Sequence, residues 1–424
     1  MPEAIEDLIP FLNNSPTAIH AALEIEQRLL AQGYEKLFEG KKWNLQKGKK
    51  YFVAREGAIS LFHLPKNMCN SCLMLAAHTD SPALKIKPNP QIQKENITFL
   101  CTEVYGGPIL SSWLNRDLAI AGKIIFLNQE DVVEQQPIYL KDIRLTIPQL
   151  SIHLDREVNE KGTLINKQDH LNAILGLNLS SENQLEKILK SKYLFKSLLA
   201  MDLFLVPIES AAFFGIDKEL LSSYRIDNLV SVHAALKAML SSEPQHDRLD
   251  MAVFWDHEEV GSRSHEGAFG SFADDVMQRI YSFYAMNEED KIIMKSDSLC
   301  ISIDMAHAFH ACYESKFEPS HKAFLGKGVA IKYNSDQRYA TNANTASRII
   351  KHCQQHNLPY QNYLSRSDMA CGSTVGPLVS HHLGIKTVDI GCAQLSMHST
   401  REVISRQDYQ DLVRLLMLML QERA

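Results

Sequence analysis

From residue 229 to the end of the chain, short apolar runs alternate with helical stretches, and this alternation constrains the fold more than any other feature. Leu229–Leu240 reads as helix, Leu249–Trp255 as strand and Ala268–Tyr284 as helix with Gly270 as a weak point. Ser298–Ile303 reads as strand, Asn344–Gln355 as helix, Ile385–Ile390 as strand, and Gln407–Arg423 as a closing amphipathic helix. Strands alternating with helices predict an α/β sheet covered on its faces by helices. Near the N-terminus a helix over Thr17–Gln32, bounded by Ser15-Pro16 and Gly33, precedes apolar runs at Tyr51–Val53, Ala58–Phe62 and Cys72–Ala77. These runs are expected to join the same sheet. Between the two blocks the texture changes. Ile97–Val104, Leu118–Leu127 and Pro137–Ile147 are β-like, with Pro and Gly between them, and the next helix is expected at about Glu182–Leu199. The predicted plan is an α/β domain of residues 1–87 and 222–424, interrupted by a β-rich unit at 88–221.

Several predicted strands end in a burst of polar residues. Cys72–Ala77 runs into His78-Thr79-Asp80, Leu249–Trp255 into Asp256-His257-Glu258-Glu259, and Ser298–Ile303 into Asp304-Met305-Ala306-His307. Ile385–Ile390 leads on to His398, and Asp227 opens the helix just past the insertion. In open α/β sheets, sites form beyond the carboxyl ends of the strands. The convergent set His78, Asp227, Glu259, Asp304 and His398 suits two divalent zinc-type ions, which take imidazole nitrogen and carboxylate oxygen. With Asp227 as bridge, His78 pairs with Asp304 and Glu259 with His398. Two metals can share a bridging water and lower its pKa. Glu258 is then left as general base, and Asp80 can orient the His78 ring. Zinc is expected, with cobalt or manganese also suited to these ligands.

Composition sets the remaining bounds. The 424 residues are 45% hydrophobic with a net charge of −6, as in a packed protein and unlike a typical nucleic-acid binder. The most apolar stretch, Met201–Ile216, is broken by Asp202, Pro207 and Glu209, so no membrane span is expected. The acidic N-terminus has no signal-peptide pattern, and eight sparse cysteines fit reduced thiols, so a cytoplasmic location is expected.

Taken in order, HTDSP at 78–82, IPQLSIHLDREVN at 147–159, DNLVS at 227–231 and DHEEVGS at 256–262 resemble the M18 metallopeptidases, the aspartyl aminopeptidase family. DMAHA at 304–308, KYNSDQRYATNA at 332–343 and MHSTRE at 397–402 extend the resemblance over nearly the whole chain. It implies an N-terminal peptidase preferring Asp or Glu, with a catalytic α/β/α sheet domain interrupted by a dimerisation domain, assembled as a tetrahedral dodecamer. His78, Asp227, Glu259, Asp304 and His398 fall on its metal positions, Glu258 on its general base and Asp80 on the carboxylate supporting His78. His153 matches a histidine that reaches into a neighbouring subunit's site. Lys332 matches a basic residue near the substrate's acidic side chain, and Tyr339 one that stabilises the tetrahedral intermediate.

Two other readings are open to test. A related dinuclear aminopeptidase or deacylase would share the metal set and differ in its substrate pocket. A non-catalytic shell protein would show degenerate ligands, whereas here all five metal positions and Glu258 are intact. Cys69-Asn-Ser-Cys72, His381-His382 and His307/His310 imitate metal pairs but lack matching partners, and GSTVGP at 372–377 lacks the Lys of a phosphate loop.

Overall fold

The computed structural model of the protein describes residues 2–179 and 183–422. Glu182, where the sequence begins a helix, and Arg423, where it ends the last one, lie outside the described residues. Two compact units are present: residues 1–80, 211–397 and 402–424 form the first, and residues 81–210 with 398–401 the second.

Among the described residues, the first unit is built on a nine-stranded mixed sheet. Its order is Glu35–Leu37, Lys50–Arg55, Ala58–His63, Arg248–Trp255, Ser71–His78, Leu299–Ile303, Lys386–Gly391, Val329–Tyr333 and Tyr360–Leu364. Four central strands, from Arg248–Trp255 to Lys386–Gly391, run parallel. They are buried on both faces, and alternation sends each side chain to one core or the other. Leu73, Leu75 and Ala77 pack into one core with helices Pro2–Asn14, Ala18–Ala31, Ile226–Leu240, Ala343–Gln355 and Arg406–Gln421. Cys72, Met74 and Ala76 face the other, with helices Phe272–Phe283, Glu288–Asp297 and Val375–Leu383. The α/β/α layering expected from the sequence is therefore present. A second, five-stranded sheet in this unit contains Glu402–Ser405 and Ala393–Leu395.

The second unit is an antiparallel six-stranded sheet in the order Val133–Leu145, Leu118–Leu127, Ser197–Pro207, Ala83–Lys94, Ile97–Tyr105 and Ala173–Leu177. The helix expected to reach Leu199 ends at Lys192. Residues from Ser197 onward pair with Leu118–Leu127 instead, so strand partnership overrides the local helical preference. In the first unit, the helix expected from Ala268 begins only at Phe272, after Gly270.

Candidate metal centre

Strands Arg248–Trp255, Ser71–His78 and Leu299–Ile303 lie side by side and parallel, so their carboxyl ends open on one edge of the sheet. Trp255 pairs with His78 and Ser302 with Ala76, so the polar residues that follow leave the sheet at one level. His78 is buried at this edge. Its Nε2 lies 3.4 Å from Asp227 Oδ1, 3.7 Å from Asp304 Oδ1 and 3.9 Å from Glu258 Oε2. Its Nδ1 lies 3.2 Å from the Asp80 carbonyl oxygen and 3.3 Å from Asp80 Oδ1.

The turn after Trp255 brings in the glutamates. His257 and Gly261 both have positive φ, at 63° and 95°, and bracket a single helical turn at Glu258–Val260. Asp80 holds that turn: Oδ1 accepts from the Glu258 amide at 3.0 Å and Oδ2 from the Glu259 amide at 3.1 Å. The carboxylate expected to support His78 thus also fixes the backbone of the two adjacent glutamates. Asp227 is placed by residues the sequence reading did not single out. Its amide donates to Glu402 Oε2 at 3.0 Å, and the neighbouring Asn228 Nδ2 donates to the Ile303 carbonyl at 2.8 Å. Arg225, with φ 65°, donates to the Thr79 and Ser15 carbonyls and locks the entry to that helix. Glu402 stands inside the MHSTRE segment, where a charged residue just before the apolar Val403-Ile404 was the available signal.

Among the described residues, the one group of three or more His, Cys, Asp and Glu placed to hold a metal is His78, Asp227 and Glu259, whose ligand atoms lie within 4.8 Å of one another. Cys69 and Cys72 are buried and outside it, and burial pushes the Cys69 thiol up to about 12. Asp304 adjoins the group through His78. Lys332 and Tyr339 are close behind: Lys332 Nζ lies 3.3 Å from Asp304 Oδ2 and 4.6 Å from the centre of the Tyr339 ring. His398 and His153 belong to the second unit. There His398, with φ 67°, has Nδ1 3.1 Å from the Gly107 carbonyl oxygen, and His153 is exposed on a turn.

The electrostatics favour a bound cation. Burial alone would push the His78 imidazole down, but Glu258, Asp227, Asp304 and Asp80 outweigh it and hold it well above its ordinary value. Burial pushes the Glu258 carboxyl well up, His78 opposes this, and Glu259, Asp304 and Asp80 add to it. Burial and the Asp80 charge raise Asp256 to about 6. Buried carboxylates at this density are costly unless paired or bound to metal. The donor set fits zinc. Two ligands about 2.0–2.1 Å from a tetrahedral ion stand about 3.3 Å apart, close to the 3.4 Å between His78 Nε2 and Asp227 Oδ1.

An open α/β sheet with imidazole and carboxylates gathered beyond its strand ends is the framework of a metallohydrolase. The family model described as aminopeptidase I zinc metalloprotease (M18) matches residues 11–418. A probable M18 family aminopeptidase 2 of Pseudomonas savastanoi pv. phaseolicola is 39% identical over 419 residues, covering 96% of each chain. A cryo-electron-microscopy structure of the Ape4 and Nbr1 complex superposes with a TM-score of 0.93 at 31% identity, covering 99% of this chain and 86% of that one. A structure of an S. cerevisiae mApe1 dodecamer shares the fold with a TM-score of 0.83 at 22% identity, covering 97% of this chain and 95% of that one. The chain belongs to the M18 family of zinc metalloproteases and is a metallo-aminopeptidase, as its motifs imply.

Proposed function

We propose that this aminopeptidase holds two divalent ions, removes single residues from the free N-terminus of peptides, and prefers Asp or Glu there. The observation that carries the reading is the convergence of His78, Asp227 and Glu259 within 4.8 Å. Asp304 and His398 would complete the proposed ligand set, with Asp227 the carboxylate that would serve both ions. Bound ions of this kind polarise the scissile carbonyl and lower the pKa of water.

Glu258 is the proposed general base. It stands 3.9 Å from His78 Nε2 and is fixed through its own amide by Asp80. It takes the proton of the attacking water and returns it to the leaving amine. Asp80 keeps the Glu258 and Glu259 carboxylates on a fixed turn, so that one can ligate while its neighbour moves a proton. Tyr339 is assigned to the developing oxyanion. His153 is assigned to substrate binding in a neighbouring subunit's site. The second unit is the proposed dimerisation domain, and a dodecamer like that of mApe1 is the proposed assembly, in the cytoplasm. No described helix is long and apolar enough to cross a membrane.

Metal analysis with a substrate panel tests the reading. Two equivalents of zinc-type metal per chain are expected, with Asp and Glu substrates favoured at least tenfold over Leu and Ala. E258Q should keep its metal and lose turnover by about 10²–10⁴-fold. Equal turnover of Leu substrates would replace the acidic preference by the specificity of a related aminopeptidase. One equivalent of metal would end the dinuclear reading.

A further inference from the structure

Asp389 stands on strand Lys386–Gly391 and is wholly buried, yet it is none of the proposed metal ligands and takes no part in the proposed proton transfer. Both of its carboxylate oxygens are engaged. Oδ1 accepts from the Thr374 hydroxyl at 2.6 Å and Oδ2 from the Ala340 amide at 2.6 Å. Its own amide donates to the Thr341 hydroxyl at 2.9 Å. One residue thus ties down two segments of the first unit. Residues 339–341 carry Tyr339, and the GSTVGP segment at 372–377 leads into helix Val375–Leu383. A further bond, from Ser373 Oγ to the Arg338 carbonyl at 3.3 Å, joins the two segments directly. The helix leaves room for the carboxylate: a Cβ added to Gly376 would stand 2.5 Å from Oδ1 and 2.6 Å from Oδ2. The positive end of a helix is also a favourable place for an anion. Burial pushes the Asp389 carboxyl up, while the Lys332 charge and the Thr374 and Ala340 donors oppose the shift.

We infer that Asp389 is a positioning residue: it clamps residues 339–341 to residues 372–377 and so sets where the Tyr339 hydroxyl stands. The inference rests on the reading of Tyr339 as the group at the developing oxyanion. Residues 339–341 and 372–374 lie in neither strand nor helix, so no regular hydrogen-bond ladder holds them. The Tyr339 ring is buried with Tyr363, and Cys371 packs against them. Such apolar packing is non-directional. The bond from the Ala340 amide to Asp389 fixes the backbone from which the ring projects. An oxyanion donor has to stand about 2.7–3.1 Å from the oxygen it stabilises, so a small shift of that backbone takes the hydroxyl out of reach.

A double-mutant cycle with Tyr339 tests the clamp. The kcat for an Asp chromogenic substrate is measured at saturating zinc and substrate for wild type, D389A, D389N, Y339F and D389A/Y339F. D389A should lower kcat by about 10²-fold, the effect of a misplacement of about 1 Å. D389N should recover most of that loss, because its carbonyl oxygen can accept from the Ala340 amide while its amide group donates to the Thr374 hydroxyl. In the Y339F background, D389A should lower kcat by less than about threefold more, since the hydroxyl it positions is gone. A kcat for D389A within about threefold of wild type, or an equal loss with and without the Tyr339 hydroxyl, overturns the inference. If D389A loses its cooperative melting transition, G376A takes its place, because the added Cβ forces the Asp389 carboxylate to move. Its kcat should then fall by about tenfold or more, and a wild-type kcat in G376A overturns the inference. A wild-type kcat in Y339F would instead remove the reading of Tyr339, and that variant alone shows this outcome.

Discussion

Two buried histidines at the ends of strands in one sheet, Ala58–His63 and Ser71–His78, show how the surroundings, not the residue type, decide what an imidazole does. His78 is held above its ordinary value by carboxylates that overcome its burial. His63, wholly buried with its Nε2 2.5 Å from the Tyr34 hydroxyl, is pushed down to about 3 by burial and then by the Lys50 charge. The folded protein therefore binds the His63 proton less tightly than the unfolded chain, whose imidazole titrates near 6.5. Between those two values the unfolded state carries more protons, so stability falls as pH falls. From pH 7 to pH 5 this one group removes about 2 kcal/mol, at about 1.4 kcal/mol per unit below 6.5. Urea unfolding of wild type and H63Q at both pH values should show the acid-induced loss shrinking by about that amount in H63Q. An identical loss in both would mean that His63 is already protonated in the fold. The seventeen histidines of the composition could not be sorted in this way. His78 was legible because a strand end and an Asp two residues on framed it. His63 ends a strand too, and only its place in the folded sheet sets it apart.

At the scale of elements, the central strands and most helices of the first unit were legible because each apolar run is bounded by turn residues and keeps one period. Helix Pro2–Asn14 was not read, although Ile5, Leu8, Phe11 and Leu12 bury one face of it, because Pro10 and the acidic side chains disguise the pattern. The small five-stranded sheet was hidden for a different reason. Its strands are only 2–4 residues long, and the pairings of Leu220–Ser223 with Glu402–Ser405 and of Ala306–His307 with Ala393–Leu395 join segments remote in sequence, so periodicity cannot show them. Yet that sheet supplies Glu402, which holds the Asp227 amide. Close packing between elements is equally invisible in sequence. Gly391, at the end of strand Lys386–Gly391, lies so near the loop after Leu299–Ile303 that an added Cβ would stand 1.9 Å from the Asp304 carbonyl oxygen. G391A must therefore shift the backbone that carries Asp304. Overpacking of this kind costs about 1–3 kcal/mol. A lowered melting temperature together with weaker zinc binding is expected, and an unchanged zinc affinity would show that the shift is absorbed on the strand Lys386–Gly391 side.

At the scale of the whole molecule, the second unit displays apolar side chains that its own core does not use. Leu150 is 59% exposed, Ile152 45%, Leu154 74% and Leu164 92%, and His153 stands among them. Single exposed leucines are ordinary, but several in one short segment mark a contact surface. Burying each such side chain would contribute about 1.5–3 kcal/mol, enough in a repeated interface to set the assembly state, while a carboxylate there would be desolvated at a cost. L154D/L164D should therefore reduce the mass measured by light scattering from that of a large homo-oligomer to a smaller species. Because both positions lie outside the first unit and its metal ligands, zinc uptake by His78, Asp227 and Glu259 should persist. On the proposed role of His153 in a neighbouring subunit's site, turnover should fall to about the level of H153A in the intact assembly. If the double variant keeps the wild-type mass, this segment does not form the subunit contact; if it dissociates and keeps wild-type kcat/KM, His153 has no part in a neighbour's site.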